Sequence, residues 1–377
     1  MMANKQPESD FSRSMKTVFL YRGGRERRLP GALAGTCPTE FFYGAIELLN
    51  HGYDVDVVDI NYSQSSSDLG AAEKALDLLF KAQFLPSRVY GSLMHRTWQL
   101  LPRLRAADTI VATTPGIAFA AAILKSMYRF PGRILAIQLG LADYQFSRRR
   151  SLLNGYFLKR MHNIVYTETE RRLMLEKYRL PAGDIVVNQF GVDTTFWQTD
   201  RYDHKGYILA VGSDGMRDYE LLLQAAEKIQ KRFIIVTSKT IDHSVPENVE
   251  VIKSDWLSNS VSDEDIRGLY AGASLVVTPL KRTTRPSGQS VSLQAMSCGR
   301  PVIISEIEGL WSEKVLCDGV NVMLTRPENL DALVCKINEL ISDESKCLRI
   351  GNAARKAVSM YANTGSWASR MIKIFEY

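Results

Sequence analysis

The stretch from Arg285 to Ile303, RPSGQSVSLQAMSCGRPVI, decides the fold. A small, polar, glycine-containing loop runs into an apolar helical pattern. The pattern stops at Cys298-Gly299-Arg300-Pro301, and a β-branched run follows. Turn, helix, glycine stop and strand in close succession form a unit of an α/β sheet. The step from loop to helix also presents free backbone N–H groups to an anion.

Working outward, strand and helix patterns alternate along the chain. In the first half, strands are predicted at Thr17–Tyr21, Tyr53–Ile60, Thr109–Ala112, Arg133–Gln138, Ile164–Thr167 and Ile185–Asn188. Helices are predicted between them, among them Thr39 to Asn50 and Gly91 to Leu104, and a turn at Arg22-Gly23-Gly24-Arg25 follows the first strand. A second series starts at Gly206, with strands at Tyr207–Val211, Phe233–Thr237, Val249–Lys253, Leu275–Thr278, Val302–Ser305 and Val322–Leu324. Such alternation implies parallel sheets built from right-handed βαβ units. Two series imply an α/β protein of two facing Rossmann-like domains, with ligand in the cleft at the carboxyl ends of the strands. The expected divisions are a disordered lead over 1–15, a first domain over 16–200, a second over 201–360 and a final helix over 361–377.

Composition narrows the function classes. The chain has 377 residues, 45% hydrophobic and 23% charged, which is globular and suits two domains. No stretch approaches the ~20 apolar residues of a membrane span, and the polar start lacks a signal-peptide core. Five scattered cysteines without a CxxC, and five histidines without metal-binding spacing, predict a reduced cytoplasmic protein without zinc. The net charge of +6 is one-sided: residues 1–200 hold 25 Lys+Arg against 19 Asp+Glu, the remainder 22 against 22. That excess suits an anionic substrate or surface on the first half and falls short of a nucleic-acid binder.

Four stretches carry a resemblance: VNQFGVDTTFW (Val187–Trp197), YILAVGSDGMRDYELLLQAAEKI (Tyr207–Ile229), LYAGASLVVTPL with the opening stretch, and EKVLCDGVNVML (Glu313–Leu324). In order and spacing they resemble a GT-B fold glycosyltransferase of the large retaining group usually numbered family 4. The resemblance covers most of residues 185–360 and implies transfer of a hexose from a UDP- or GDP-sugar to a glycan or lipid-linked acceptor. It implies an acceptor-binding domain over 16–200, a nucleotide-sugar-binding domain over 201–360, and a final helix that returns to the first domain on Trp367, Met371, Ile374 and Phe375. It implies no cofactor and no metal.

Carried over residue by residue, the resemblance puts the donor diphosphate on Ser287, Gly288, Gln289 and Ser290. The physics agrees, because glycine permits close approach and a helix start favours a phosphate. Arg217 matches the family's lysine, and Ser213 stands at its arginine. Lys281, Arg282 and Arg285 are expected to replace that charge, with Arg217, Lys281 and Arg285 as the catalytic cations. Gln294 stands where a glutamate usually bonds the ribose. Pro286, eight residues earlier, stands where a glutamate usually contacts the transferred sugar. Gly23, Gly24 and Arg25 match a phosphate and acceptor loop, and Gln138 falls near a frequent histidine. The departures at Pro286 and Ser213 raise one rival, a sugar-binding or regulatory protein without activity; a second rival is a GT-B sugar-nucleotide epimerase. Finally, the basic stretch Arg148 to Arg160 reads two ways, as a segment that can lie on an anionic membrane, peripheral to its inner face, or as a surface helix with one buried face.

Overall fold

The computed structural model describes residues 15–62, 70–199, 205–254, 260–312 and 315–376. The expected lead, apart from Met15, and residues 200–204 of the expected junction lie outside the described residues, as do Glu313 and Lys314. Two six-stranded parallel sheets form the molecule. The first contains β1 (Thr17–Tyr21), β2 (Val55–Asp59), β3 (Thr109–Ala112), β4 (Arg133–Ile137), β5 (His162–Val165) and β6 (Ile185–Val187), in the order β2-β1-β3-β4-β5-β6. The second contains β7 (Tyr207–Val211), β8 (Phe233–Thr237), β9 (Val249–Lys253), β10 (Ala273–Thr278), β11 (Val302–Ser305) and β12 (Met323–Thr325), in the order β12-β11-β10-β7-β8-β9.

The central strands read as near-continuous apolar runs because helices cover both faces, so TVFLY of β1 and YILAV of β7 are buried at every position. In both sheets the strand order reverses beside the first strand, between β1 and β3 and between β7 and β10. Loops splay apart there and leave a crevice at the carboxyl edge. The fold therefore provides two such crevices.

Two helical expectations change. The segment from Thr39 to Asn50 is a 3-10 turn, Glu40–Phe42, then Tyr43 at φ 51 and Gly44 at φ 84, then the helix Ala45–Asn50. The break is made by tertiary packing, because a Cβ on Gly44 would stand 2.8 Å from the Trp367 ring. The turn at Arg22 to Arg25 runs directly into an unexpected helix, Arg25–Leu33, which contains Pro30. Its start is stabilised from β2, since the Asp59 carboxylate accepts the N–H groups of Arg25 and Glu26, both at 3.1 Å. The stretch Gly91 to Leu104 divides into the helices Gly91–Gln99 and Leu101–Arg105.

The chain crosses back at its end. The helix Glu344–Tyr361 packs in the second domain, and the helix Thr364–Glu376 lies against the first. Thr364 donates its N–H to the Val192 carbonyl at 3.1 Å, and Arg370 Nε donates to Asn188 Oδ1 at 2.6 Å. Trp367, Met371 and Phe375 are buried in this contact.

Candidate functional site

The opening stretch forms one wall of a cavity of about 330 Å³ between the domains. Ser287, Gly288, Gln289 and Ser290 line it, at the start of the helix Gln289–Ser297. Gly288 caps that helix at φ 76, and no side chain accepts its first N–H groups. A Cβ on Gly288 would meet Thr278 Cγ2 at 2.6 Å and Arg217 Nη1 at 3.1 Å. Only glycine thus brings this helix start and the guanidinium together.

Arg217 is fixed by its backbone, in an antiparallel bridge with Leu280 in the segment after β10. Its side chain is buried across the backbone of Gly212, where a Cβ would stand 2.4 Å from Nε and Nη2. Nε lies 3.0 Å from Asp214 Oδ2, while Nη1 has no hydrogen-bond partner among the described residues. Gln289 Nε2, also buried on this wall, has none either. A buried donor left unpaired costs roughly 1–3 kcal/mol, so two on one cavity wall beside a helix start are placed for an acceptor-rich anion.

The opposite wall comes from the first domain through Phe41, Tyr43, Gly140, Tyr144, Tyr166 and Phe190. Glu170 shapes it, accepting the Gly140 N–H at 2.7 Å and the Tyr166 N–H at 3.1 Å. Burial pushes the Glu170 carboxyl up to about 7. Arg285 closes the gap, with its Nε 2.5 Å from Asp143 Oδ2 and its guanidinium 4.0 Å from the Tyr144 ring centroid. Thr284 Oγ1 donates to Asp143 Oδ1 at 2.9 Å, so Asp143 ties the donor loop to the first domain.

Other expected residues stand off this wall. Ser213 Oγ accepts the Ser238 N–H at 2.7 Å. Lys281 is exposed, and Arg282 pairs with Glu328 at 3.2 Å. Gln138 is fully buried, donating from Nε2 to Asn163 Oδ1 at 3.0 Å. The Gly23-Gly24-Arg25 loop is turned to the chain's own use, since the Asp59 carboxylate already occupies the helix start that a phosphate would take. Arg25 lies 5.3 Å from the Phe41 ring centroid, behind the wall.

Gln294 departs most from expectation. Its Nε2 donates to Glu40 Oε1 at 2.9 Å, and its Oε1 accepts from the Tyr270 hydroxyl at 3.3 Å, so both ends of the amide are used inside the protein. Glu40 Oε1 also accepts from Trp197 Nε1 at 2.7 Å, and the Asp193 N–H reaches Oε2 at 3.3 Å. Burial, against these hydrogen bonds, raises the Glu40 carboxyl to about 7. Gln294 and Glu40 thus form a hydrogen-bonded link between the two domains. In sequence, a single glutamate followed by two phenylalanines gave no sign of this.

The basic helix Arg148–Leu158 divides its arginines. Arg150 points inward, donating from Nη2 to the Phe80 carbonyl at 2.6 Å, and Arg149 lies 3.8 Å from the Phe84 ring centroid. Leu152 is 68% exposed and Tyr156 49%, and Phe84 is exposed as well.

Comparison with known proteins agrees with this architecture. HepE of Anabaena, solved with UDP and glucose, superposes with a TM-score of 0.67 over 96% of this chain and 99% of its own, at 17% identity. Sucrose-phosphate synthase of Thermosynechococcus elongatus gives 0.69 over 96% and 98%, also at 17% identity. The fold is GT-B. Residues 205–343, the second GT-B domain, match the family model of glycosyl transferases group 1. An uncharacterized glycosyltransferase of Methanocaldococcus jannaschii is 28% identical over 116 residues, which is 31% of this chain and 28% of that protein's length. The anion-ready loop Ser287–Ser290 and Arg217 both fall within the matched GT-B domain.

Proposed function

We propose that this chain is a glycosyltransferase that takes a nucleoside-diphosphate sugar in the cavity between its domains and transfers the sugar with retention. One observation carries the reading: Arg217 Nη1 and Gln289 Nε2, both buried and without a hydrogen-bond partner among the described residues, share a cavity wall with the helix start at Gly288, where no side chain accepts the first N–H groups. A diphosphate satisfies all three. HepE, solved with UDP-glucose, has the same fold and supports a UDP-sugar as donor.

Transfer then rests on charge. Arg217 and the helix start stabilise the leaving diphosphate, whose oxygen takes the proton from the incoming hydroxyl on the same face of the sugar. Arg285, carried on the same loop, adds a cation when the domains close. Pro286 offers the sugar no acceptor group, so recognition of its hydroxyls falls to other residues around the cavity, Asp214 among them. The acceptor enters from the first domain. The exposed Leu152, Tyr156 and Phe84, flanked by Arg148 and Arg149, give that domain a face suited to an anionic membrane and a lipid-linked acceptor.

A melting-temperature panel of UDP, GDP, ADP and CDP tests the donor, since a ligand that binds only the folded state raises the midpoint by mass action. One nucleotide should stand out, and its sugar conjugates should be turned over. Silence from all four would refute the reading. Strong nucleotide binding with no transfer to any acceptor would favour a binding protein, the reading suggested by Pro286.

A further inference from the structure

A second cavity, of about 480 Å³, opens at the other crevice of the fold, where the order of the first sheet reverses between β1 and β3. Arg22 from the loop after β1 and Thr114-Pro115-Gly116 from the loop after β3 line it, together with Arg88 and Arg150. These three arginines come from separate segments, and no acidic side chain is among the described residues that line the cavity. The helix Pro115–Tyr128 starts in its wall, with Pro115 at its first position and the Thr114 hydroxyl accepting the Ile117 N–H at 3.5 Å. Gly116 permits this placement, because a Cβ there would stand 2.6 Å from the Arg88 carbonyl oxygen. Arg88 itself adopts φ 63.

Rings make up much of the remaining wall. Phe80 lies under the Arg150 guanidinium at 4.4 Å from its centroid, and Arg22 stands 5.7 Å from that of Tyr62. Arg150 Nε is buried without a hydrogen-bond partner among the described residues. Arg88 and Tyr144 line this cavity and the donor cavity alike, with the Arg88 guanidinium 4.0 Å from the Tyr144 centroid. The two spaces are thus joined side by side.

We propose that this second cavity binds the acceptor through an anionic group, a phosphate monoester or phosphodiester, with Arg22, Arg88 and Arg150 as its ligands and the aromatic wall against the attached ring or chain. The inference rests on the transferase reading for the word acceptor, and on the cavity alone for the anion. The group is anchored at Arg22 and Arg150, so the rest of the acceptor reaches past Arg88 and Tyr144 toward the donor. The source is a soluble sugar phosphate or a lipid-linked phosphate.

Binding is tested first with phenyl phosphate in the presence of saturating nucleoside diphosphate, which fills the donor wall, using phosphorus NMR line broadening. Phenyl phosphate should still bind, phenol should not, and Arg22→Gln should weaken the binding about tenfold or more, as for a charged hydrogen bond. Arg22 is exposed, so this variant folds; Arg150→Lys, which keeps a charge, should retain more binding than Arg150→Gln. Displacement of phenyl phosphate by the nucleotide, or unchanged binding in Arg22→Gln, would overturn the proposal. Turnover is then compared on hexose phosphates in solution, on polyprenyl phosphate in phosphatidylcholine vesicles, and on the neutral hexoses. Use of either phosphate, with a KM raised by Arg22→Gln and an unchanged nucleotide affinity, supports the site and names its source. Equal use of neutral hexoses, indifferent to Arg22, would refute it. Failure of every nucleotide to bind would sink the transferase reading while leaving the phenyl phosphate result to decide the site.

Discussion

Replacing Glu40 with glutamine should change how stability depends on pH, and by an amount the structure sets. Burial carries this carboxyl from its ordinary 4.5 to about 7. At 1.36 kcal/mol per unit, that displacement corresponds to about 3 kcal/mol. The folded state holds the proton more tightly than the unfolded chain. The wild type is therefore most stable below the ordinary value, loses stability as pH rises toward about 7, and is level above it. Glutamine never ionises. Its amide oxygen can keep the hydrogen bonds from Trp197 and Gln294, while its NH₂ would face the Asp193 N–H at a fixed, pH-independent cost. The difference in stability between Glu40→Gln and wild type should therefore move in the variant's favour by up to about 3 kcal/mol between pH 5 and pH 8. For domains of this size that is on the order of 10 °C in melting temperature, readable by near-ultraviolet circular dichroism. Glu170, also raised to about 7, is present in both proteins and cancels in the difference. Parallel melting curves across the range would show that Glu40 is ionised without penalty, contrary to the cost assigned to its burial.

Three further outcomes are expected. Arg217→Ala should weaken binding of the preferred nucleoside diphosphate by about 1.5–3 kcal/mol, as for a charged hydrogen bond, and unchanged calorimetric affinity would remove Arg217 from the site. Gly288→Ala forces a side chain into the left-handed region and against Thr278 Cγ2, 2.6 Å away, so it should lower the melting temperature and abolish nucleotide binding together. If binding survived, the helix start would not approach the phosphate. Leu152→Glu places a charge on the 68% exposed position of the basic face and should reduce co-sedimentation with anionic vesicles without moving the melting temperature; equal sedimentation would remove this helix as the contact.

Much of the fold was legible because parallel strands buried on both faces announce themselves as short apolar runs. All twelve strands fall within a few residues of their expected places. What was not legible came from distant contacts. Trp367 breaks the helix at Gly44, and Asp59 stabilises a helix that Pro30 argues against. The same distinction holds at the site. That Ser287–Ser290 and Arg217 meet on one cavity wall was legible because each lies at or just before a helix start. The bonding of Gln294 was not, because its partner, Glu40, lies 254 positions away and local pattern cannot say which of two polar surfaces an amide faces. Lys281 and Arg282 were expected at the site as cations near the loop, but proximity in sequence at a strand end does not settle direction.

The helix Thr364–Glu376 has a consequence for how the protein is made. It is synthesised after the entire second domain, yet Trp367, Met371 and Phe375 complete the core of the first. Domains commonly fold in order as they leave the ribosome. Here the first domain must wait, with the surface around Gly44 and Tyr43 uncovered, until the second has been made and has returned the missing piece. Assembly of the two halves is thereby coupled in time. A chain interrupted within its last dozen residues should injure the half that was translated first.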